Sequence, residues 1–234
     1  MIVSINQPAY LPWSGYFHRV AVSDLHIVLD DVQFEKNSFT NRNKIRTKEG
    51  WQWLTVPVKT KGKFGDLAIN ELEIENHSRW AVKHWTAIRQ HYGKTPFFKN
   101  YEPQLAEIYG KSWDRLNDLM RALTAVLLET FSIRTPLRYS SDMKIDGAKD
   151  ELVLNLCRAV NATHYLSGPL GRNYLREEIF AGAGIKVLYH DYRHPTYTQA
   201  YPDFEPDMAA LDLLFNCGPD SLEILKKDQI QFNV

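Results

Sequence analysis

Short apolar runs alternate with amphipathic segments along the chain. Two runs near the amino terminus, Ile2 to Ile5 and Leu25 to Leu29, have the length and composition of buried strands. Between them, Phe17, Val20 and Ala21 recur at helical spacing. A helix that joins two such strands is long enough to be a crossover. We therefore expect the strands to be parallel and the connection to be right-handed.

The second half of the chain repeats this alternation. Residues 150–160 show helical spacing of apolar side chains, residues 163–168 and 185–190 have the pattern of strands, and Gly171 begins a further predicted helix between them. The whole pattern predicts an α/β fold. We expect a Rossmann-like parallel sheet of about four or five strands, with helices on both faces.

The middle of the chain has a different pattern. A turn at residues 48–50 followed by alternation over residues 51–58 predicts a β-hairpin, and residues 67–74 suggest one more strand. Helices are predicted from Trp80 to Tyr92 and from Ser112, as the N-cap, to about Phe131. The apolar stripe of the second helix predicts a buried face.

The hairpin and the helices interrupt the α/β alternation. We therefore expect a single domain over residues 1–234, with an insertion at about residues 39–131 that carries the hairpin and the helical region. Residues 59–65 form a basic segment that contains glycine. This segment suits a loop that closes over a ligand and a solvated hairpin tip equally well.

Composition excludes some classes of partner. Among 234 residues, Lys and Arg number 28 and so do Asp and Glu, so nucleic acid is an unlikely partner and the chain has no charge excess for an anionic membrane. Cys157 and Cys217 are isolated and suit a reducing compartment. Neither a signal peptide nor an apolar run of membrane-spanning length is apparent. We expect a cytoplasmic protein without membrane insertion, and a homodimer stays open.

Candidate binding residues concentrate where the first two predicted strands end. Ligands of open parallel sheets lie at the carboxyl ends of the strands. The candidates at these ends are Gln7, Tyr10, Trp13, Gly15, Tyr16, Asp30, Asp31 and Gln33. Two prolines and several aromatic residues stiffen the first loop, which suits binding. Trp13 suits a core position as well, and Gly15 also fits a close approach of helix and sheet.

One glycine turn lies between a predicted strand and a predicted helix. Neither a dinucleotide-binding glycine motif nor a P-loop is present. The residues of the turn are Ser167, Gly168, Gly171, Arg172, Asn173 and Tyr174. Backbone N–H groups and Arg172 there suit a phosphate. A structural turn that needs a positive φ at glycine explains the same residues equally well.

Acid–base candidates are few. Asp30 and Asp31 are adjacent, so their side chains point to opposite sides of a strand and do not form a catalytic pair. Asp31 and His84 are the catalytic candidates, because either can remove a proton from an amine. A lone histidine on a tryptophan-bearing helix, such as His84, is more often a satisfied core or surface group than a catalytic one. No spacing of His, Cys or carboxylate residues indicates a metal site.

A polar triplet lies next to the predicted hairpin. Its members are Asn41, Arg42 and Asn43. Arg42 suits a two-pronged contact with a carboxylate or phosphate. The triplet also suits the fixing of a loop, and the sequence does not separate the two roles.

Several motifs, in order along nearly the whole chain, resemble those of the WbqC-like family. They are residues 7–17, 23–24, 30–33, 41–45, 171–175 and 211–218. Members of that family are associated with bacterial surface-polysaccharide gene clusters, including those for O-antigen. The resemblance implies work on a nucleotide-linked amino sugar, with a small acyl or amino-acid donor as the second substrate. It supplies no catalytic residues, and Met208-Ala209-Ala210 departs from a run that often contains serine in the family.

A second likeness, of architecture alone, is to the nucleotide-binding fold of class I synthetases. Those enzymes place two histidines around the glycine, where this chain has Trp13 and Tyr16, so direct ATP chemistry is in doubt. The cofactor is therefore unknown, with ATP as one candidate. The leading hypothesis is an acyltransferase or ATP-dependent amide ligase. The alternative is a non-catalytic module of the same pathway that binds a sugar nucleotide.

Overall fold

The computed structural model describes residues 1–60, 62, 67–227 and 229. Seven strands occur in this part of the chain. They are β1 (Ile2–Asn6), β2 (Leu25–Val28), β3 (Arg42–Thr47), β4 (Gly50–Thr55), β5 (Leu137–Tyr139), β6 (His164–Ser167) and β7 (Lys186–Tyr189). Five of them form a parallel sheet in the order β5-β2-β1-β6-β7, and β3 and β4 form a separate antiparallel hairpin.

Helices fill the connections between the strands of the sheet. The α-helices of the described residues are α1 (Ser14–Ala21), α2 (Trp80–Tyr92), α3 (Phe98–Gly110), α4 (Leu116–Thr130), α5 (Ser140–Met143), α6 (Lys149–Ala159), α7 (Glu177–Gly182), α8 (Leu211–Cys217) and α9 (Ser221–Lys226). Short 3-10 helices occupy Ile69–Glu71, Asn76–Ser78, Pro169–Asn173 and Gly218–Asp220. The predicted α/β fold with an antiparallel hairpin is confirmed.

Strand β1 lies in the middle of the sheet. Ile5 pairs with Ile27 of β2 on one side, and Val3 pairs with Tyr165 of β6 on the other. The chain runs outward from β1 through β2 to β5, and then crosses β1 to build β6 and β7. The direction of winding therefore reverses between β1 and β6, which is where ligands bind in open parallel sheets.

The two faces of the sheet pack differently. Val3 belongs to an apolar cluster that includes Phe180 of α7. On the opposite face, the Oγ atom of Ser4 lies 2.8 Å from Nδ1 of His26, whose Nε2 lies 3.3 Å from the hydroxyl of Tyr16 on α1. Burial lowers the pKa of His26 to about 3, so this ring is neutral at neutral pH.

Helix α4 carries the predicted apolar stripe, and the stripe is buried. Leu119, Leu123 and Leu127 are almost fully enclosed. The helix begins at Leu116, and its N-cap is Arg115, three residues after the predicted N-cap Ser112, because Arg115 is extended and forms a bridge with Glu73. The backbone N–H of Leu116 donates to Leu72, which continues this extended pairing before the helix starts.

The strand predicted over residues 67–74 is wrong. This segment contains the 3-10 helix Ile69–Glu71 and makes only isolated bridges. The bridges join it to three different parts of the chain: Gln33 with Ala68, Val58 with Ile74, and Arg115 with Glu73. A segment whose partners change every few residues does not form a continuous ladder.

The helix predicted to begin at Gly171 is also corrected. Residues Pro169–Asn173 form a 3-10 helix, and α7 begins only at Glu177, because Arg176 is extended. The hairpin and helices α2 to α4 lie between β2 and β5. We keep the division into a domain with an insertion at about residues 39–131 as a proposal. Most of the basic segment at residues 59–65, namely residues 61 and 63–65, lies outside the described residues.

Candidate functional site

A cleft of about 1340 Å³ opens at the carboxyl ends of the central strands. Its walls include Gln7 after β1, Gln33 after β2, Gly168 after β6 and His190 after β7. The cleft therefore lies at the point where the winding of the sheet reverses. This volume exceeds that of many small-molecule sites, so the cleft has room for a large ligand or for two substrates.

The loop between β1 and α1 is clamped by the segment that leads into the hairpin. The backbone N–H of Tyr10 donates to the carbonyl oxygens of Phe39 and Thr40, each at 3.1 Å. Nδ2 of Asn43, which is fully buried, donates to the carbonyl oxygen of Leu11 at 2.5 Å. Leu11 has a φ of 47°, a left-handed conformation that is unfavourable for a side chain with a Cβ. Asn43 therefore fixes a strained loop.

Aromatic side chains form one wall of the cleft. The rings of Trp13 and Phe39 lie with their centroids 5.4 Å apart, and both line the cleft. Phe39, Leu170 and Tyr174 are exposed although they are large and apolar. Exposed apolar groups gathered in a concave site are typical of ligand binding.

Arg19 lies on the inner lining of the cleft and is only 7% exposed. No carboxylate of the described residues lies within ion-pair distance of its guanidinium, and its Nε atom has no hydrogen-bond partner. Burial lowers the pKa of Arg19, but an arginine in a protein stays protonated. A buried cation without a partner is unfavourable, so its retention here requires a reason.

Gly168 and Gly171, in the turn after β6, lie close to neighbouring side chains. Gly168 has a φ of −68°, and neither Gly168 nor Gly171 has a positive φ, so the left-handed conformation is not the reason for glycine. A Cβ on Gly168 would lie 2.9 Å from Nη1 of Arg19. A Cβ on Gly171 would collide with Oγ of Ser167. A side chain at position 168 would therefore require the Arg19 guanidinium to shift from its place beside this turn.

A pair of histidines lies beside Arg19. Nδ1 of His18 is 2.6 Å from Nε2 of His190, and the two stacked rings are buried. Burial, with the nearby charge of Arg19, lowers the pKa of His190 to about 3, and burial with the charge of Lys226 lowers that of His18 to about 4. Both rings are therefore neutral at neutral pH. One of the facing nitrogens carries a hydrogen and the other accepts it.

Tyr192 completes this stack and explains Gly15. Its ring centroid lies 5.7 Å from that of His190, and a Cβ on Gly15 would lie 2.7 Å from its Cδ1 atom. Gly15 thus allows the segment after β7 to approach helix α1. The group that approaches Gly15 is therefore the ring of Tyr192, in the segment after β7, and not the sheet itself.

The structure brings together some of the sequence-predicted site residues. Those that line the cleft are Gln7, Trp13, Gly15, Gln33, Gly168, Gly171 and Tyr174. The others lie outside its lining: Tyr10, Tyr16, Asp30, Asp31, Asn41, Arg42, Asn43, His84, Ser167, Arg172 and Asn173. A role of any of these residues in binding or catalysis stays a prediction.

Asp30 is the centre of a buried polar network. Its Oδ2 atom accepts hydrogen bonds from Asn117 at 2.8 Å, from Arg121 at 3.0 Å and from Oγ of Ser141 at 3.0 Å. Burial alone would raise the pKa of Asp30, but these hydrogen bonds outweigh it and lower the pKa. The carboxylate therefore joins the end of β2 to helices α4 and α5. Asp31, at the next position, accepts a hydrogen bond from Ser140 at 2.5 Å.

His84 and Tyr10 are joined inside the helical region. Nδ1 of His84 lies 2.8 Å from the hydroxyl of Tyr10, which lies 2.6 Å from the hydroxyl of Tyr109. Burial lowers the pKa of His84 to about 4. These contacts are those of a satisfied core histidine.

The predicted phosphate-binding arginines have partners of their own. Arg172 makes two hydrogen bonds of 2.7 Å to Asp191, and Arg42 donates to the backbone of Asn37 at 2.6 Å while lying over the ring of Trp53. Nδ2 of Asn41 donates to the backbone carbonyl of Val56 at 2.9 Å. All three members of the 41–43 triplet thus hold backbone segments in place.

Sequence reasoning missed the lining residues Arg19 and Tyr192, and it gave His190 only as a weak acid–base candidate in a strand. Arg19 lies four residues after Gly15, so both are on the same side of α1, and this spacing was the available signal. Its burial was not foreseeable, because an arginine in a short helix is typically on the surface.

These features define an α/β protein of the Rossmann type with an open cleft at the reversal point of its parallel sheet. The chain belongs to the WbqC-like protein family, whose model matches residues 7–224. An uncharacterized protein of Mycobacterium tuberculosis, Rv1507c, is 38% identical over 226 residues, which cover 96% of this chain and 97% of that protein. No solved structure matches the chain. Within the described ranges, none of the helices has both the length and the apolar character needed to span a bilayer.

The first prediction concerns the Asp30 network. We expect Asp30→Asn to lower the free energy of unfolding at pH 7 by about 2 kcal/mol, because charge-assisted hydrogen bonds are lost. The folded-state pKa is below that of the unfolded chain, so this stabilisation is present at higher pH and is lost as the pH falls through the folded pKa. Urea unfolding should therefore show a gap between wild type and variant that narrows below about pH 4.

The control for this prediction is Asp31→Asn, since Asp31 is partly exposed and makes one described hydrogen bond. Its loss should be below about 1 kcal/mol. A gap for Asp30→Asn that stays constant from neutral to acid pH would contradict the network.

The second prediction concerns the loop clamp. We expect Asn43→Ala to lower the free energy of unfolding by about 2 kcal/mol, because the carbonyl of Leu11 loses its buried donor. Urea unfolding measures this change. Asn100→Ala, on the exposed side of α3, should stay within about 0.5 kcal/mol of wild type. Equal effects of the two substitutions would refute the clamp.

Proposed function

We propose that the protein is an enzyme of bacterial surface-polysaccharide synthesis, such as that of O-antigen, which joins an acyl or aminoacyl group to the amine of a nucleotide-linked amino sugar. The observation that carries the proposal is the cleft at the reversal point of the sheet, large enough for a sugar nucleotide and a second substrate. Membership of the WbqC-like family supports the same pathway.

The lining of the cleft suits the parts of such a ligand. Trp13 and Phe39 offer aromatic faces for a base or a sugar ring. Lys149 adds positive charge at the cleft, whereas the charge of Arg176 is paired with that of Asp150. Glu35 and Asp207 add carboxylates that suit hydroxyl or amine groups. This mixture of rings and both signs of charge fits a polar, anionic ligand that contains a base.

The reaction requires a proton acceptor in the cleft. The amine nitrogen forms a bond to the acyl carbon, the carrier leaves with the electron pair of the bond that breaks, and the nitrogen loses a proton. His190 lines the cleft, and its Nε2 atom is engaged by His18, so Nδ1 is the ring nitrogen that remains for a ligand. We assign the proton acceptor to His190, because Asp31 and His84 do not line the cleft. The donor is either an activated acyl group or a carboxylate that ATP activates.

A non-catalytic module that binds a sugar nucleotide is the second candidate. The sequence indicates Asp31 and His84 as the acid–base residues. The non-catalytic module is favoured because both residues lie outside the lining of the cleft. Mass spectrometry of mixtures of the protein, a UDP- or dTDP-amino sugar and a panel of acyl and aminoacyl donors, with and without ATP, separates the two. An acylated sugar supports the enzyme, and binding without product under every donor supports the module.

The third prediction tests the ligand itself. Calorimetric titration with UDP- and dTDP-amino sugars should give binding that Trp13→Ala weakens about tenfold, because stacking on a ring contributes about 1–3 kcal/mol. The control is Trp51→Ala, which removes an exposed tryptophan of the hairpin outside the cleft. It should leave the Kd within about twofold. Equal weakening by both substitutions, or no binding to wild type, would refute the cleft as the site.

The fourth prediction tests the proton acceptor. His190→Asn should reduce turnover at least about a hundredfold, the usual contribution of a general base, while the Kd of the sugar nucleotide stays within a few-fold. Asp31→Asn is measured in parallel. If Asp31→Asn loses turnover while His190→Asn stays active, the general base is Asp31 and not His190.

A further inference from the structure

We infer that the buried guanidinium of Arg19 is the binding site for a phosphoryl group, and that the bound anion makes the His18–His190 pair easier to protonate. The inference deepens the proposed function, because it names the part of a sugar nucleotide that this end of the cleft would hold. It rests on the position of Arg19 and of the groups around it.

The first step is that Arg19 has no carboxylate as a counter-charge among the described residues. Arg19 is more than nine-tenths buried, it lines the cleft, and no carboxylate of the described residues pairs with it. Arg121 provides a comparison, since it is less buried and yet pairs with Asp30 at 3.0 Å. Arg176 also lines the cleft and pairs with Asp150 at 2.7 Å. Arg19 is thus a cation without an acidic partner among the described residues, and an anionic ligand in the cleft would supply one.

The second step is the space that the fold keeps beside the guanidinium. Nη1 of Arg19 would be 2.9 Å from a Cβ on Gly168, so the absence of a side chain there lets the guanidinium lie against the turn after β6. The hydroxyl-bearing residues around Arg19, namely Tyr16, Tyr165 and Tyr174, offer no formal charge at neutral pH, because burial raises the pKa of each phenol. A phosphoryl group supplies both the charge and the acceptor oxygens that the site lacks.

The third step is the coupling to the histidine pair. The charges that act on His190 come from Arg19, His18 and Asp191, and those that act on His18 come from Lys226 and Arg19. Asp191 is engaged by an arginine of the 3-10 turn, and Tyr192, which stacks on His190, is a phenol whose pKa burial raises. The positive charges therefore dominate around the pair, and both rings are neutral at neutral pH when no anion is bound.

An anion at Arg19 reverses this balance. It offsets the repulsion between Arg19 and a protonated His190, so the pKa of the pair rises on binding. Below this raised pKa a proton passes from solvent to Nδ1 of His190, and above it the pair stays neutral in the complex and can accept the proton of the amine. Binding is then tighter at lower pH. Without an anion, the low folded-state pKa values mean that stability decreases as the pH falls below about 6.5, because the unfolded chain binds more protons.

The experiment uses inorganic sulfate as the probe, since sulfate is a dianion over the whole pH range and contributes no proton of its own. Thermal unfolding of the full chain is followed with sodium sulfate and with sodium chloride at equal ionic strength, from about pH 7.5 to about pH 5.5. The variants are Arg19→Met, His18→Asn and the control Arg158→Met, an exposed arginine of α6 outside the cleft.

Four results are expected for the proposal. Sulfate stabilises wild type more than chloride does, and the fitted Kd of sulfate decreases as the pH is lowered. Arg19→Met raises the sulfate Kd at least about tenfold without lowering the stability of the unliganded protein, because an unpaired buried charge is removed. His18→Asn retains sulfate binding and loses most of its pH dependence. Arg158→Met behaves as wild type.

Other results overturn the proposal. Sulfate and chloride that act alike on wild type refute the anion site. Arg19→Met that destabilises the empty protein and leaves the sulfate Kd unchanged makes Arg19 a structural residue. A pH slope that persists in His18→Asn refutes the proton linkage. If sulfate binds through Arg19 but the protein binds no sugar nucleotide, the anion site stands and the proposed function is refuted. If a sugar nucleotide binds equally well to wild type and Arg19→Met, the proposed function stands and the anion site is refuted.

Discussion

The arrangement of the cleft depends on one unfavourable feature, a buried arginine with no acidic partner among the described residues. Arg19 lies where the winding of the sheet reverses, beside two neutral histidines and a glycine that leaves room for its guanidinium. Replacing a buried, unpaired charge by an apolar side chain of similar size commonly stabilises a protein. Its retention at the ligand-binding end of an open sheet therefore indicates a function that outweighs the loss in stability.

Other polar residues near the strand ends maintain the shape of the cleft from outside it. Asp30 ties the sheet to α4 and α5, and Asn43 holds Leu11 in its left-handed conformation. Both side chains are completely enclosed. A buried polar network of this kind makes one loop conformation much more stable than its alternatives. The loop can then present Trp13 to the cleft without the entropic cost of ordering it on binding.

Much of the fold could be predicted from the sequence, because strand length and helical spacing report burial directly. The runs at Ile2 and Leu25 form parallel strands as predicted, and the repeated alternation in the second half corresponds to β6 and β7. The order of the strands, and with it the reversal point, was not predicted. The segment at Ile69 was misread because its apolar residues serve three separate bridges, and periodicity does not reveal the partner of a strand.

The site was harder to predict than the fold. A sequence places Asp30 at the end of a strand but does not show that Asn117 and Arg121, almost a hundred residues later in the chain, surround it. For Arg19, no sequence pattern shows that the folded side chain is buried without an acidic partner among the described residues. Long-range hydrogen bonds and the absence of a counter-charge become visible only when the chain is folded.

The account is tested most directly by a crystal structure of the protein with a UDP- or dTDP-amino sugar bound. It predicts that the base or sugar lies against Trp13 and that a phosphate oxygen lies within hydrogen-bonding distance of the Arg19 guanidinium, beside Gly168. A ligand bound on another surface, or a phosphate held away from Arg19 inside the cleft, would contradict it.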